Sequence, residues 1–406
     1  MDQLIVHVLI IPSWYPDKPG DITGSFFREQ AMALQRSGCV VGVIYPQLKS
    51  LRNWRSAASA ACRTLEFDGA IPTLRSRGVN WFPLLHGAAS RLWSRHGLEL
   101  YKNYVSQFGK PDIIHAHSAL YAGELARLLS QHESVPFVIT EHSSSFSRGR
   151  VSKTQARIAK QVFNEAHRKF AVSERFASFL DNYFDEEPSS WEVMPNIVDG
   201  IFQNVIVEKS LIDKHFVFVS IAMLVEGKGI HHLITAFAKA FSSDPQVVLK
   251  IGGDGPERSR LERLAKTLGV YNRVDFLGSL TRADVVREIS SADVLVHPSS
   301  YETFGVVLIE ALALGKPVVA TRCGGPDSIV RDRDGMLVPV NDDASLAMSM
   351  SAIRDRISEY DPEEIRQSCL ARFGEHAIVE RLKKVYTEVL DKLSTDGVNQ
   401  VPGLIH

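Results

Sequence analysis

The sequence has few cysteines, no excess of either charge and no long apolar run, and each shortage removes a class of function. Its four cysteines, Cys39, Cys62, Cys323 and Cys369, are scattered through 406 residues without a C-x-x-C pair or a histidine-rich neighbour. That spacing supports neither a disulfide framework nor a zinc site, and it suits a reducing compartment. Lysine plus arginine number 46 against 47 acids, for a net charge of -1. A bulk nucleic-acid binder is normally strongly basic, so no nucleic-acid partner is expected. The apolar opening, residues 4–11, is far shorter than the roughly 20 residues that cross a bilayer. It also lacks the positive n-region and small-residue cleavage site of a secretory signal. It reads as a buried first strand, and the expected location is cytoplasmic, soluble or peripheral on the cytoplasmic membrane face.

What is present is an alternation of short β-branched runs with helix-period segments, the pattern of parallel sheets covered by helices. In the first half strands are expected near 4–10, 40–45, 113–116, 137–140, 169–172 and 191–194, with helices near 25–36, 119–131, 154–166 and 173–183. In the second half strands fall near 216–222, 247–251, 274–277, 294–297, 317–320 and 336–338, with helices near 230–240, 256–268, 283–289, 305–314 and 325–330. The stretch from Pro195 to about Lys214 is polar and weakly patterned and reads as a linker. An amphipathic helix over 377–393 lies beyond the second sheet. The fold class is therefore α/β, with two doubly wound parallel sheets end to end. Such sheets bind ligands at the carboxyl ends of their strands, where loops enter helices.

Three such loops in the second half carry chemistry. Ser299 to Leu312 follows a strand, and a helix begins near Gly305. The unpaired N–H groups and positive dipole end of that helix suit a phosphate, and Gly305 permits close approach. Glu302 before the helix and Glu310 two turns into it offer bidentate acceptors for sugar hydroxyls; the plainer alternative is a capped helix with solvated acids. Gly252-Gly253-Asp254-Gly255-Pro256 imitates a dinucleotide fingerprint, but Arg258 replaces the third glycine, so a nucleotide-side loop is preferred to a nicotinamide site. Lys228 in Glu226-Gly227-Lys228-Gly229 stands at a helix start as a counter-charge for a diphosphate, and a P-loop is excluded because Gly229 follows the lysine. Taken singly, Lys228 also fits a solvated turn.

In the first half, His115-Ala116-His117 ends one strand and Thr140-Glu141-His142 the next. Alternation puts His115 and His117 on one face; His115, inside the strand, reads as a buried histidine. His117 and His142 are the site candidates, and no acid–histidine spacing supports a metal. Asp332-Arg333-Asp334 copies a D-x-D metal motif but precedes Gly335 in a turn, and reads as solvated loop.

Together these elements resemble glycosyltransferase family 4, the glycosyl transferases group 1, of GT-B fold. The resemblance is carried by Glu302-x7-Glu310 around Phe304-Gly305, then Gly315-Lys316-Pro317, Gly252-Gly253-Asp254-Gly255-Pro256, Phe276-Leu277-Gly278 and Lys228-Gly229. Trp14-Tyr15-Pro16, Gly24-Ser25-Phe26 and the two histidine motifs extend it over nearly the whole chain. It implies two Rossmann-like domains facing across a cleft: an acceptor-binding domain over 1–200, a nucleotide-sugar domain over 201–376, and a helix and tail over 377–406 packing back toward the first. It implies a retaining, metal-independent hexosyl transfer without cofactor, from a nucleotide-diphosphate sugar to a glycan or lipid-linked glycan. Glu302 would hold sugar hydroxyls and Glu310 the ribose. Lys228 with the backbone of Phe304, Gly305 and Val306 would bind the diphosphate. Gly253 would line the nucleotide cleft, and Leu277 to Leu280 would border the base. Gly24 would shape the first loop, with His142 beside the acceptor and phosphate, and His117 would face the reacting centre. One departure is Met223, where family members often carry an arginine five residues before the lysine; Arg322 or Arg148 could supply that charge instead. Because of it, a silent sugar-nucleotide-binding subunit is the alternative from another class, beside an epimerase or hydrolase on the same fold.

Residues 49–110 carry ten basic side chains against three acidic, interleaved with Trp54, Trp81 and Trp93. The stretches 51–55 and 91–95 are candidates for peripheral contact with an anionic membrane bearing a lipid-linked acceptor. Helices packed on the first sheet with snorkelling arginines are the other reading.

Overall fold

The structure, a computed structural model, describes residues 5–17, 21, 24–50, 62–82, 85–204 and 215–398. The apolar runs at its start, in which Val8, Leu9, Ile10 and Ile11 have no exposed surface, are buried on both faces and so form parallel strands. The first sheet contains β1 (His7–Pro12), β2 (Val40–Ser50), β3 (Cys62–Asp68), β4 (Ile71–Asn80), β5 (Ile113–His117), β6 (Phe137–Glu141), β7 (Arg168–Ala171) and β8 (Glu192–Val193). Its order is β3-β4-β2-β1-β5-β6-β7-β8, parallel apart from the β3–β4 pair. The second contains β9 (Phe216–Ile221), β10 (Val247–Gly252), β11 (Val274–Gly278), β12 (Val294–His297), β13 (Val318–Thr321) and β14 (Gly335–Val338) in the order β11-β10-β9-β12-β13-β14. Both are doubly wound. Strand order reverses between β1 and β5 and between β9 and β12, so the crevices for ligands open at those carboxyl ends.

Two departures from the sequence reading have physical causes. The β3–β4 hairpin was not expected, because its residues are charged. Arg75 is buried there, paired with Glu66 at 3.0 Å and set over the rings of Tyr15 and Tyr45. The helix expected from residue 119 becomes regular only at Glu124–Glu133, after a π-type turn at Ala119–Gly123. Glu141 takes the Ala119 amide at 2.8 Å, an N–H that would otherwise open the helix, and Ser118 and Tyr121 both have φ of 70°.

The described part of the expected linker, 195–204, is largely buried up to Asp199. Asp199 caps the helix Gly200–Gln203 through the Ile201 amide at 3.0 Å; residues 205–214 of the expected linker, like 51–55 with Trp54, lie outside the described residues. The final helix, Glu375–Val398, lies on the first domain. Its Ile378, Leu382, Tyr386 and Val389 share a core with Val8, Ile10, Phe27 and Leu34. Tyr386 Oη pairs with His115 Nδ1 at 2.7 Å, and Arg36 grips Glu375 with two 2.8 Å hydrogen bonds. No helix among the described residues is long and apolar enough to cross a membrane.

Candidate active site

Two loops at the carboxyl ends of β9 and β12 are zipped together, and this brings Lys228 to Glu302. Ser300 N donates to Gly227 O at 3.0 Å, and Gly229, at φ 65°, lies so close to Pro298 that a Cβ would stand 2.0 Å from its carbonyl oxygen. Lys228 Nζ donates to Glu302 Oε1, Ser299 Oγ donates to the same oxygen at 3.0 Å, and His297 Nε2 lies 3.2 Å from it. Burial alone would raise the Glu302 carboxyl, but the His297 contact and the Lys228 charge outweigh it and hold the group well below the usual carboxylate range. Glu302 is thus an ionised acceptor. Immediately after it, Gly305 at φ 108° starts the helix Val306–Ala313, so the free N–H groups of that turn face the same space.

Glu310 points off the second turn of this helix and is 3% exposed. Its Oε1 accepts from Arg282 Nη1 at 2.7 Å, and Arg282 also donates to Asp199 Oδ2 from Nε at 3.2 Å and Nη2 at 2.9 Å. Arg282 was not found by sequence reasoning.

The first domain supplies the facing wall. His142, Asn196 and Phe26 join Ile221, Lys228, His297 and residues 302–307 around a cavity of about 310 Å³. Thr303 Oγ1 donates to His142 O at 3.1 Å and Ser173 Oγ to Thr303 O at 2.7 Å, so the Glu302 loop touches both domains. The Glu141 carboxylate is buried but accepts from the amides of Ala119, His142 and Ser143, which fixes the loop carrying His142. Burial lowers the His142 imidazole to about 3 and that of His115 likewise. His117, expected at the reacting centre, has no exposed surface: it lies against Phe27, its Nδ1 is 3.1 Å from His142 Nε2, and burial keeps it neutral. Of the two histidines only His142 reaches the cavity lining.

The remaining sequence candidates divide. Phe304, Gly305 and Val306 line the cavity. Gly253 sits where a Cβ would be 1.8 Å from Ala222 O, so only glycine lets the β10 and β9 ends approach. Leu277 and Leu280 are half-buried away from the cavity lining, Leu280 lying over Gly252 beside Ile221. Gly24, at φ 76°, turns the chain into the first helix against Trp14. Met223 is 68% exposed, Arg322 lies 3.8 Å from Asp327, and Arg148 stands near Tyr301. The D-x-D stretch is not all solvated: Asp334 has no exposed surface and is paired with Arg372 at 2.9 Å. No group of three or more metal-ligating side chains is present among the described residues. Asn196 and His297 were also missed; each is a single polar residue without a motif around it.

Comparison with known proteins decides the family. The model for glycosyl transferases group 1 matches residues 202–361, and that for glycosyltransferase family 4 matches 23–200. The chain belongs to the family 4 glycosyltransferases. It is similar to the lipopolysaccharide core biosynthesis glycosyltransferase LpsE of Rhizobium meliloti, 36% identical over 40% of this chain and 47% of that protein. The chain spans less than two thirds of the length of the first curated relatives it matches. Its architecture matches sucrose-phosphate synthase from Thermosynechococcus elongatus, TM-score 0.74 and 21% identity over 95% of this chain and 100% of that one. It also matches Anabaena Alr3699/HepE in complex with UDP-glucose, TM-score 0.67 and 22% identity over 96% and 100%. The two facing domains of this family 4 chain are the GT-B arrangement.

Proposed function

We propose that this enzyme transfers a hexose, with retention and without metal, from a UDP- or GDP-type sugar to a glycan or lipid-linked glycan in polysaccharide or glycoconjugate synthesis. The observation that carries the reading is the ionised Glu302 beside Lys228, below the N-terminus of the helix Val306–Ala313, in a cavity walled by both domains. A diphosphate placed there meets Lys228 and the helix N–H groups, and its sugar meets Glu302 and His142. As the sugar–phosphate bond breaks, Lys228 and the helix dipole stabilise the charge growing on the leaving oxygen, worth roughly two to three powers of ten per donor. Among the described residues, Glu302 is the one carboxylate lining the cavity, and its charge is offset by Lys228. It is therefore poorly suited to act as a base on the acceptor. The departing phosphate oxygen takes the acceptor proton on the same face, which gives retention. The two domains exclude water from the reacting atoms.

Family membership, and the UDP-glucose complex of a structural relative, support a nucleotide-sugar donor. Within the 49–110 region, the proposed membrane contact centres on its exposed apolar side chains. Trp93 is buried, whereas Trp81, Phe82 and Leu85 are 55%, 42% and 63% exposed beside the basic helix His86–Phe108. That group would enter an anionic bilayer interface and bring a lipid-linked acceptor to the first domain.

The test is thermal shift with UDP, GDP, ADP and their sugar conjugates in EDTA, followed by acceptor trials with analysis of the product anomer. A selective shift and a retained anomer support the proposal. No shift from folded protein would refute a sugar-nucleotide site; a shift without transfer to any acceptor would favour the silent-subunit alternative, and free sugar as the sole product would favour a hydrolase.

A further inference from the structure

The charge network behind Glu310 plays no part in the transfer chemistry above. Arg282 opens the helix Arg282–Ser291, which Thr281 and Asp284 already cap reciprocally. A cation in that first turn meets the positive end of the helix dipole and is disfavoured. Its guanidinium is nevertheless mostly buried, lies 4.8 Å above the Phe202 ring, and forks between Glu310 and Asp199. A planar fork fixes its acceptors in direction as well as distance, which an ammonium group cannot do. Asp199 stands at the joint between the domains, where it caps the helix Gly200–Gln203 and hydrogen-bonds Glu29 of the helix Ser25–Arg36. A buried carboxylate with one oxygen held is presented in one orientation; without Arg282 that oxygen would be left unpaired.

We propose that Arg282 is a positioning residue that aims the Glu310 carboxylate at the ribose hydroxyls of the donor and ties it to Asp199 at the interdomain joint. This rests on the nucleotide-sugar donor of the proposed function and on the assignment of Glu310 to its ribose that the family resemblance implies.

Calorimetric binding of UDP and 2′,3′-dideoxy-UDP, and of the matching GDP pair, to the full chain tests it. Wild-type protein should prefer the ribonucleotide by about tenfold, the order of one hydrogen bond to a charged group. Arg282→Met should bring that ratio toward one, as Glu310→Ala should, while leaving affinity for the dideoxy analogue unchanged. Arg282→Lys keeps the charge without the fork and should fall between. A structural role alone would weaken both ligands equally and keep the ratio; that result, or an intact ratio in Arg282→Met, overturns the proposal. If the methionine variant does not fold, a wild-type ratio in Arg282→Lys overturns it. A wild-type protein that binds both forms equally refutes the ribose assignment itself. One that binds no nucleotide refutes the sugar-nucleotide reading, and the proposal falls with it.

Discussion

The Lys228–Glu302 pair sets a conflict that Glu302→Gln should expose. A nucleoside diphosphate entering the cavity draws Lys228 toward its phosphates and leaves Glu302 charged and largely buried. An intact nucleotide sugar brings hydroxyls that replace the lysine as donors to Glu302. Bare diphosphate therefore bears a cost that the donor does not. The side chains of Lys228 and Glu302 are 24% and 15% exposed. That places the pair between exposed pairs, worth ~0–1 kcal/mol, and broken buried ones, which lose ~3–5 kcal/mol. A middle value of about 2 kcal/mol is close to a thirtyfold change in Kd. Glu302→Gln keeps the shape and removes the charge, so it should tighten diphosphate binding by roughly ten- to thirtyfold. The same variant should weaken the nucleotide sugar, because an amide accepts sugar hydroxyls less strongly than a carboxylate. Titration calorimetry with the nucleoside diphosphate and its sugar conjugate reads both changes on one protein. Weaker binding of both ligands to Glu302→Gln would refute the reasoning. It would mean that the pair opens without cost or that Lys228 never leaves the carboxylate. A physical corollary is easier product release: once the sugar has gone, Glu302 recaptures Lys228.

Gly253→Ala should abolish nucleotide binding and lower stability by several kcal/mol (~3 or more, from backbone overlap at positive φ), measured by urea unfolding; a near-neutral result would mean the β9–β10 approach is soft. Burial, then the charge of Asp199, pushes the Glu29 carboxyl up to about 7 from an ordinary 4.5. Its folded pKa is raised, so its stabilising proton is fully present below about pH 4.5 and lost as pH rises through about 7. Wild-type protein should therefore lose up to about 3 kcal/mol relative to Glu29→Gln over that window, and equal pH profiles would refute the pairing. Trp81→Ala with Phe82→Ala should reduce sedimentation with phosphatidylserine vesicles and leave the melting temperature within a few degrees. Trp93→Ala should instead lower stability by ~3–5 kcal/mol, and the reverse pattern would relocate the membrane face.

The second sheet was legible because its strands are continuous apolar runs, and the loops after them announce themselves with glycines that sterics demand. Gly229, Gly253 and Gly305 each have positive φ. The Glu302-x7-Glu310 spacing then put both carboxylates on the loop and helix where they are found. The hairpin β3–β4 was illegible because charged side chains break its apolar pattern: Arg75 of β4, counted as surface basicity, is 3% exposed and paired with Glu66 of the edge strand β3. The burial of His117 was not legible, because periodicity gives a side chain's face but not what covers it, and here Phe27 does. Arg282 did leave a trace. A cation directly after an N-cap breaks the dipole rule, and such local violations are where functional constraint is expected.

The two ends of the interface between the domains differ in strength, and that difference assigns them different duties. At the cleft mouth the described contacts include two neutral hydrogen bonds of Thr303 and an open 3.6 Å pair between Arg175 and Asp327. Neutral hydrogen bonds contribute ~0.5–1.5 kcal/mol each and exposed pairs less than about 1, so the mouth can part at a cost that ligand binding recovers. At the joint, the final helix buries Ile378, Leu382, Tyr386 and Val389 in the first domain, and Val198 N donates to Phe373 O at 2.9 Å. Buried side chains of this size contribute ~1.5–3 kcal/mol each. Any opening is therefore expected to pivot about the joint rather than to separate the domains. Because Glu310 is bonded through Arg282 to Asp199 at that joint, its carboxylate, proposed to hold the ribose, is expected to move little on such opening. The Thr303–His142 contact is the one expected to part. Such a pivot predicts that the proposed donor docks on the second domain first, with closure completing the sugar and acceptor side afterwards.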